Sequence, residues 1–184
     1  KKDLFSQEAI SQVREMVDAF AAIEGVESVL SYLDAPLLFS PKMGMSELAN
    51  NLRTIEDLDT DKDLARLEFK NSPLYTELLT DKEANYTAMQ LILSGDGVYE
   101  EAINKRYSIL EIINSNNYNP SIHDLMLEQI NDEIKQLNVD SSIARDTLIK
   151  TTRTIMKGYE EYGQLYLGGT AMIASDMISF IESD

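Results

Sequence analysis

The 184-residue chain carries 32 acidic and 16 basic side chains, and its formal net charge of −16 repels the phosphate backbone of nucleic acids and anionic lipid headgroups. Hydrophobic residues make up 43%, no apolar run reaches the roughly 20 residues of a membrane-spanning helix, and the absence of cysteine excludes disulfides and thiol chemistry. The chain opens on Lys1-Lys2-Asp3-Leu4 without an initiator Met or a signal region, so we expect a segment from inside a longer polypeptide.

The first predicted elements are a helix followed by a strand. Ser6 is a good N-cap, and apolar residues recur at helical spacing from Ile10 until Gly25. Residues 26–33 are rich in β-branched and aromatic types, as in a strand. Residues 37–56 predict an irregular connection that contains a short helix from Ser46 to Arg53.

The middle of the chain predicts a short acidic helix over 59–69, which Pro73 stops. Residues 84–93, bounded by polar turn residues on both sides, predict the clearest strand. Two helices over 98–113 and 122–137, joined by an Asn-rich turn, then predict a helical hairpin. The second helix carries one apolar stripe, formed by Ile122, Leu125, Met126, Ile130, Ile134 and Leu137.

A third helix of this region is predicted from about Asp140 or Ser141 to about Gly158. A short strand over 163–167 and a final helix over 171–181 follow. The fold class is therefore α+β. We expect a single domain over 1–184 with a ferredoxin-like βαβ-βαβ plan, a first strand missing from the front, and a helical hairpin inserted at about 98–138.

Residues 57–68 contain a set of possible metal ligands. Acidic residues stand at positions 1, 3, 5, 7 and 12 of a calcium-loop template, namely Asp57, Asp59, Asp61, Asp63 and Glu68. The template needs glycine at its sixth position, where this chain has Lys62, and a helix would splay the carboxylates apart. We therefore expect a solvated acidic helix start and no metal or cofactor site.

Other features that could carry chemistry have simpler interpretations. His123 is the only histidine and is expected at the surface, and Asp96-Gly97 is expected to form a turn. Gly168-Gly169 lacks the third glycine of a dinucleotide fingerprint and indicates a strand-to-helix corner. Among the methionines, we expect core packing for Met16, Met89 and Met126, and exposure for Met43 and Met45.

Three stretches resemble, in order and spacing, the first large extracytoplasmic loop of resistance-nodulation-division (RND) exporters of the predicted lipid-exporter kind, the group that includes the mycobacterial membrane proteins large. The first is residues 23–31, and the second runs from Ser72-Pro73-Leu74-Tyr75 to Leu91. The third is residues 165–184, with Gly168, Gly169, Met172 and Asp176.

The resemblance implies a porter-type loop domain of a proton-driven inner-membrane exporter on the extracytoplasmic face. Its expected partners are the transmembrane helices and the second loop domain of the same parent protein and a hydrophobic or lipid-like substrate, and it leaves oligomerisation open. The proton-carrying carboxylates of the family lie in transmembrane helices, so these residues are not expected to supply the energy coupling. We also expect no enzyme activity. One alternative is an independent acidic interaction module that responds to calcium. Another is a hydrolase, which a single histidine disfavours.

Overall fold

The computed structural model describes residues 3–39 and 52–183 and shows an α+β fold of five helices and a two-stranded antiparallel sheet within those ranges. In chain order the elements are α1 (Gln7–Ala21), β1 (Val26–Leu30), α2 (Lys62–Asn71), β2 (Gln90–Leu93), α3 (Gly97–Ile113), α4 (Pro120–Gly158) and α5 (Thr170–Ser183). Contacts divide the chain into two compact units, residues 1–93 with 155–165 and residues 94–154 with 166–184.

Helix α1 forms where the sequence predicts it and supplies the core of the first unit. The Ser6 hydroxyl accepts a hydrogen bond from the Ala9 amide at 3.2 Å, which satisfies a backbone donor that the first turn leaves free. One face of the helix is buried, comprising Ala9, Ile10, Val13, Met16, Val17 and Phe20. The 3.6-residue spacing of these apolar positions therefore sets the orientation of α1.

Four aromatic side chains extend that core. Phe69 lies 5.6 Å from Phe5, 6.0 Å from Tyr32 and 5.0 Å from Tyr75, measured between ring centroids. Tyr32 and Phe69 are both 0% exposed. The Tyr32 hydroxyl donates to the Leu4 carbonyl at 2.6 Å, so this buried polar atom is satisfied while the ring stays in the core.

The sheet is smaller than the sequence predicts. Strand β1 pairs with β2 in antiparallel register, with Val29 opposite Leu91, and the pairing is irregular between Val26 and Ser28. The predicted strand over 84–93 is paired as a strand only from Gln90, because Asp81 folds the preceding residues into a loop. Its carboxylate accepts hydrogen bonds from the backbone amides of Glu83, Asn85 and Tyr86.

Helices α3 and α4 form the predicted hairpin in the second unit. Ala102 and Ile109 of α3 and Ile130 of α4 are buried together, and partly buried side chains pack around them, namely Ile113, Leu127, Ile134 and Leu137. The Ser141 hydroxyl of α4 donates to the Asp96 carboxylate at the start of α3, at 2.7 Å.

The break predicted near Asp140 is wrong, since α4 is one helix of 39 residues. Asn and Ser cost a helix interior no more than about 0.7 kcal/mol each relative to Ala, and no Gly or Pro interrupts this region. Side chains also bridge the predicted break, because Gln136 donates to Asp140 at 2.9 Å and Asn138 donates to the Ile134 carbonyl at 3.0 Å.

The strand predicted over 163–167 is also wrong, since these residues belong to no strand and Tyr166 is 80% exposed. An extended segment needs a neighbouring strand for its backbone groups, and the only ladder in the described ranges joins β1 to β2. The α+β class is confirmed, whereas the described residues form no four-stranded ferredoxin-like sheet. None of the described helices has the length and apolar character needed to cross a bilayer.

Candidate functional site

The sequence motif around Gly168 and Gly169 begins helix α5, within the second unit. Gly169 adopts φ +113°, a conformation that side chains on an L-residue rarely allow, and its carbonyl accepts the Ile173 amide at 3.1 Å. Position 169 therefore requires glycine because of its backbone conformation and not because of crowding, since an added Cβ would meet no neighbouring atom within 4 Å. The predicted corner leading into a helix is present, although no strand precedes it.

A salt bridge joins the motif residue Asp176 to helix α4. The Arg153 guanidinium donates to the Asp176 carboxylate at 2.8 Å, and each side chain is nearly half exposed. The hydrogen bond from Arg153 lowers the pKa of Asp176, and the same contact raises the pKa of Arg153. Asp176 is therefore held ionised and paired, which suits a structural contact and leaves it unsuited to carry a proton near neutral pH.

A second polar contact lies one residue away. Ser175 is buried, and its hydroxyl donates to the Asp146 carboxylate of α4 at 2.9 Å. Lys150 lies 2.6 Å from the other oxygen of Asp146. The hydrogen bonds from Lys150 and Ser175 lower the pKa of Asp146. Ser175 and Asp176, which are adjacent on α5, thus contact one carboxylate and one guanidinium group on one side of α4.

The rest of α5 presents apolar side chains to solvent. Ile173 is 53% and Met177 is 61% exposed. These residues line an open groove of about 480 Å³ together with Met172, Asp176, Phe180 and Ile181. Among the lining residues that the structure describes, the only ionised group is Asp176, which Arg153 neutralises. Such a surface can bind an apolar chain or another apolar helix, and it provides no group for covalent chemistry.

The motif residues Ser72, Pro73 and Tyr75 lie in the first unit and have structural contacts. Ser72 is the C-cap of α2, and its hydroxyl accepts the Leu74 amide at 3.2 Å. Pro73 is exposed. The Tyr75 hydroxyl donates to the Pro36 carbonyl, and burial raises the pKa of Tyr75. These residues therefore end α2 and fix the chain that follows it.

The loop after Tyr75 lines a second open cavity, of about 420 Å³. Glu77 and Ala84 hold positive φ values of 70° and 55°, which are uncommon for residues other than glycine. Burial raises the pKa of Asp81, but the amides of Tyr86, Asn85 and Glu83 outweigh that effect and lower it. Asp81 is consequently an organising residue of the loop, a role that its sequence neighbours did not indicate.

The acidic residues of the calcium template differ in their hydrogen-bond partners and in their burial. Asp57 accepts the Thr54 amide at 2.6 Å, and Asp61 caps α2 by accepting the amides of Asp63 and Leu64. Glu68 is buried and accepts the amides of Leu38 and Phe39 at 2.6 and 3.0 Å, and Asp59 is exposed. In the two described ranges, no group of three or more acidic or histidine side chains could hold a metal ion. Asp63 and Glu68 lie on α2, whereas Asp57, Asp59 and Asp61 precede it.

His123 is partly exposed at the start of α4 and stabilises that start. Its Nδ1 accepts the Asn119 amide at 2.8 Å, and its ring stacks on Tyr118 at 6.1 Å between centroids. The Tyr118 hydroxyl donates to Asp124 at 2.8 Å. Asp96 caps α3 through the Tyr99 amide. His123 thus stabilises the start of α4, and Asp96 stabilises the start of α3.

The methionines divide between core and surface. Met16 is buried as predicted, Met89 is half-buried, and the core position predicted for Met126 is wrong because this side chain is 41% exposed. The prediction for Met43 and Met45, and most of the short helix predicted from Ser46, lie outside the described residues.

Sequence reasoning did not single out Arg153, Asp146 or Ser175. The one available signal was the i,i+4 spacing of Asp146 and Lys150, which indicates a contact within α4. The contacts with α5 could not be predicted, because only the tertiary structure brings α5 beside α4. Comparison with protein-family models, curated proteins and solved structures found no match to this chain.

Proposed function

We propose that this chain is a porter-type loop domain of an inner-membrane, proton-driven exporter that resembles the RND superfamily. In this proposal the domain lies on the extracytoplasmic face of the bacterial inner membrane, where it helps hydrophobic or lipid-like substrates to pass and contributes to assembly. Its partners are the transmembrane helices and second loop domain of the parent protein. It has no catalytic step and no cofactor.

The apolar groove on α5 is the observation that carries the proposal. A groove of about 480 Å³ lies within the usual range of small-molecule sites, and its lining is mostly apolar. Burying an exposed methylene of an acyl chain against such a lining contributes about 0.8 kcal/mol. Exposed Met177 adds a flexible thioether that adapts to ligands of different shape. These properties suit transient contact with an apolar substrate.

The sheet supports the finer, ferredoxin-like part of the proposal. In a βαβ-βαβ plan the strand after the first helix and the strand that opens the second half are consecutive, and here β1 and β2 are antiparallel neighbours. Within the described residues both strands are edges, and a two-stranded sheet is marginally stable by itself. Leu30 and Ile92 are exposed at 39% and 41%. We propose that strands from the remainder of the parent domain add to this sheet.

Binding of an apolar probe tests the groove. A fluorescent fatty acid should bind the chain, and the Ile173→Ser/Met177→Ser variant should bind it at least about tenfold more weakly, which corresponds to about 1.4 kcal/mol. Leu64→Ser/Leu67→Ser on α2 is the matched control, because it also changes two exposed apolar side chains, at 44% and 55% exposure, and both lie outside the groove. Equal loss of binding in the control, or no loss in the groove variant, would contradict the proposal.

The parent reading frame tests the membrane assignment separately. We expect an apolar segment of about 20 residues shortly before the sequence of this chain and another shortly after it, since each would span the hydrocarbon core as a helix. A parent protein without these segments would contradict the exporter assignment even if the groove binds the fatty acid.

A further inference from the structure

The apolar stripe of α4 is only partly covered by α3. Ile130 is buried against α3, and Ile134 and Leu137 pack around the same cluster. The first third of the stripe stays in solvent, with Ile122 and Leu125 each 53% and Met126 41% exposed. Residues at i, i+3 and i+4 are neighbours on a helix surface, so these three side chains form one continuous apolar patch.

The charge around this patch is predominantly negative. Residues 107–134, which we call the hairpin tip, contain no Lys or Arg. They contain five carboxylates, on Glu111, Asp124, Glu128, Asp132 and Glu133. One cation lies beside the tip, since Arg106 of α3 donates to Asn131 of α4 at 2.9 Å. An apolar patch with a mainly acidic rim therefore occupies one end of the hairpin.

Three of these carboxylates form a row along α4. Asp124, Glu128 and Asp132 follow each other at i, i+4 and i+8, and all three are exposed. No salt bridge within the described part of the chain involves any of them. Like charges at this spacing destabilise a helix by a few tenths of a kcal/mol per pair. A cationic partner would remove that repulsion when it binds.

We propose that the hairpin tip docks an amphipathic helix rich in Lys and Arg, with its apolar residues on Ile122, Leu125 and Met126 and its cations on the acidic row. Apolar anchors at i, i+3 and i+4 match the register in which a bound helix presents its own apolar face. Charge selects this occupant, because a second copy of the tip or an anionic membrane would bring negative charge onto the same carboxylates. The proposal is independent of the exporter assignment.

A designed peptide provides the probe. It is an 18-residue helix of Leu and Lys with Leu at i, i+3, i+4 and i+7, and a scrambled peptide of the same composition without an apolar face is its control. Calorimetry with the full chain should show the amphipathic peptide binding at least about tenfold more tightly than the scrambled one. Equal affinity of the two peptides would overturn the proposal, since a net charge of −16 would then explain the binding without a docking surface.

Paired variants locate the binding surface. Ile122→Ser/Leu125→Ser should weaken peptide binding at least about tenfold. Leu64→Ser/Leu67→Ser, which changes two exposed leucines at the same i, i+3 spacing on α2, should change it less than about twofold. Glu128→Lys/Asp132→Lys should weaken binding more than Glu24→Lys/Glu27→Lys, which makes the same charge change at exposed positions outside the tip. Comparable losses within either pair would overturn the proposal. The charge variants also decide the question if the serine variant does not fold.

Two measurements examine other occupants of the patch. Sedimentation of the chain alone should show no association that Ile122→Ser/Leu125→Ser removes. Vesicles of phosphatidylcholine and phosphatidylglycerol should not bind through the tip. A dimer or a vesicle interaction that this variant abolishes would assign the patch to that occupant and overturn the helix proposal.

Discussion

Arg153 of α4 and Asp176 of α5 form a salt bridge of 2.8 Å between residues that are 23 positions apart in the chain. Beside it, Ser175 is buried and donates to Asp146 at 2.9 Å. The two contacts differ in burial, and this difference lets their contributions to stability be separated. Breaking an exposed ion pair costs little stability, because water solvates both charged groups again. Removing a buried hydroxyl costs more, because its acceptor loses a hydrogen bond and the surrounding packing changes.

We predict that Ser175→Ala lowers the melting temperature by about 2–4 °C, the shift expected for loss of roughly 1 kcal/mol in a chain of this size. Asp176→Asn should lower it by less, because water and salt screen the Arg153 pair. Differential scanning calorimetry at low and at 0.5 M NaCl measures both. A larger effect for Asp176→Asn at both salt concentrations would show that the ion pair dominates.

Gly169→Ala should destabilise the chain, whereas Gly168→Ala should not. The cost at 169 is about 1–3 kcal/mol, because φ of +113° is strained for any residue with a Cβ. Neither added Cβ would have a neighbouring atom within 4 Å, so the pair isolates backbone conformation from packing. Urea denaturation of the two variants measures the difference, and equal stabilities would contradict the prediction.

Phe69→Ala should destabilise the first unit by about 3–5 kcal/mol, since it removes a fully buried ring that contacts three other aromatic rings. Leu67→Ala on the same helix is the control, because this side chain is 55% exposed and should change stability by about 0.5 kcal/mol or less. Chemical denaturation followed by tyrosine fluorescence reports on the unit. A loss below 1 kcal/mol for Phe69→Ala would mean that the aromatic cluster does not form.

Stability should fall in acid. Five carboxylates have a pKa that the fold lowers from 3.8, namely Asp34, Asp81, Asp96, Asp146 and Asp176. A lowered pKa means that the folded state binds fewer protons, so this stabilisation is complete above about pH 5 and is lost as the pH falls through each folded value. The free energy of unfolding should therefore decrease as the pH is lowered below about 5, as urea titrations at each pH would measure.

Asp81→Asn should reduce this acid dependence, because the carboxylate that accepts the amides of Glu83, Asn85 and Tyr86 no longer titrates. Asn85→Ala is the control, since it keeps both the carboxylate and the backbone amide. An acid dependence that is the same in Asp81→Asn as in the unmodified chain would show that this loop does not contribute to it.

Local signals in the sequence were sufficient where one short segment decides the outcome. Ser6 and the apolar spacing up to Phe20 predicted α1, and the Asn-rich turn predicted the hairpin of α3 and α4. The break predicted near Asp140 failed because local helix propensity is sufficient there. The strand predicted over 163–167 failed because it depends on a partner distant in sequence. Residues 163–167 have the composition of a strand, but a strand exists only when a neighbour accepts its backbone hydrogen bonds.

The candidate site also combines features that the sequence predicted with contacts that it did not predict. The sequence predicted the helix that forms α5 and a glycine corner before it, although no strand precedes that corner. It did not predict that Asp176 pairs with Arg153, that Ser175 reaches Asp146, or that Glu68 binds the amides of residues 38 and 39. Each of these contacts depends on two segments being placed side by side.

The sequence by itself therefore determined the α+β class, the acidic surface and the helices whose apolar period is regular, because composition and periodicity act within a single segment. The tertiary structure alone decided how much sheet forms and that Ile122, Leu125 and Met126 stay exposed while Ile130 is buried. The stripe on α4 is uniform in sequence, and only the extent of α3 beside it decides which part becomes core and which part becomes surface.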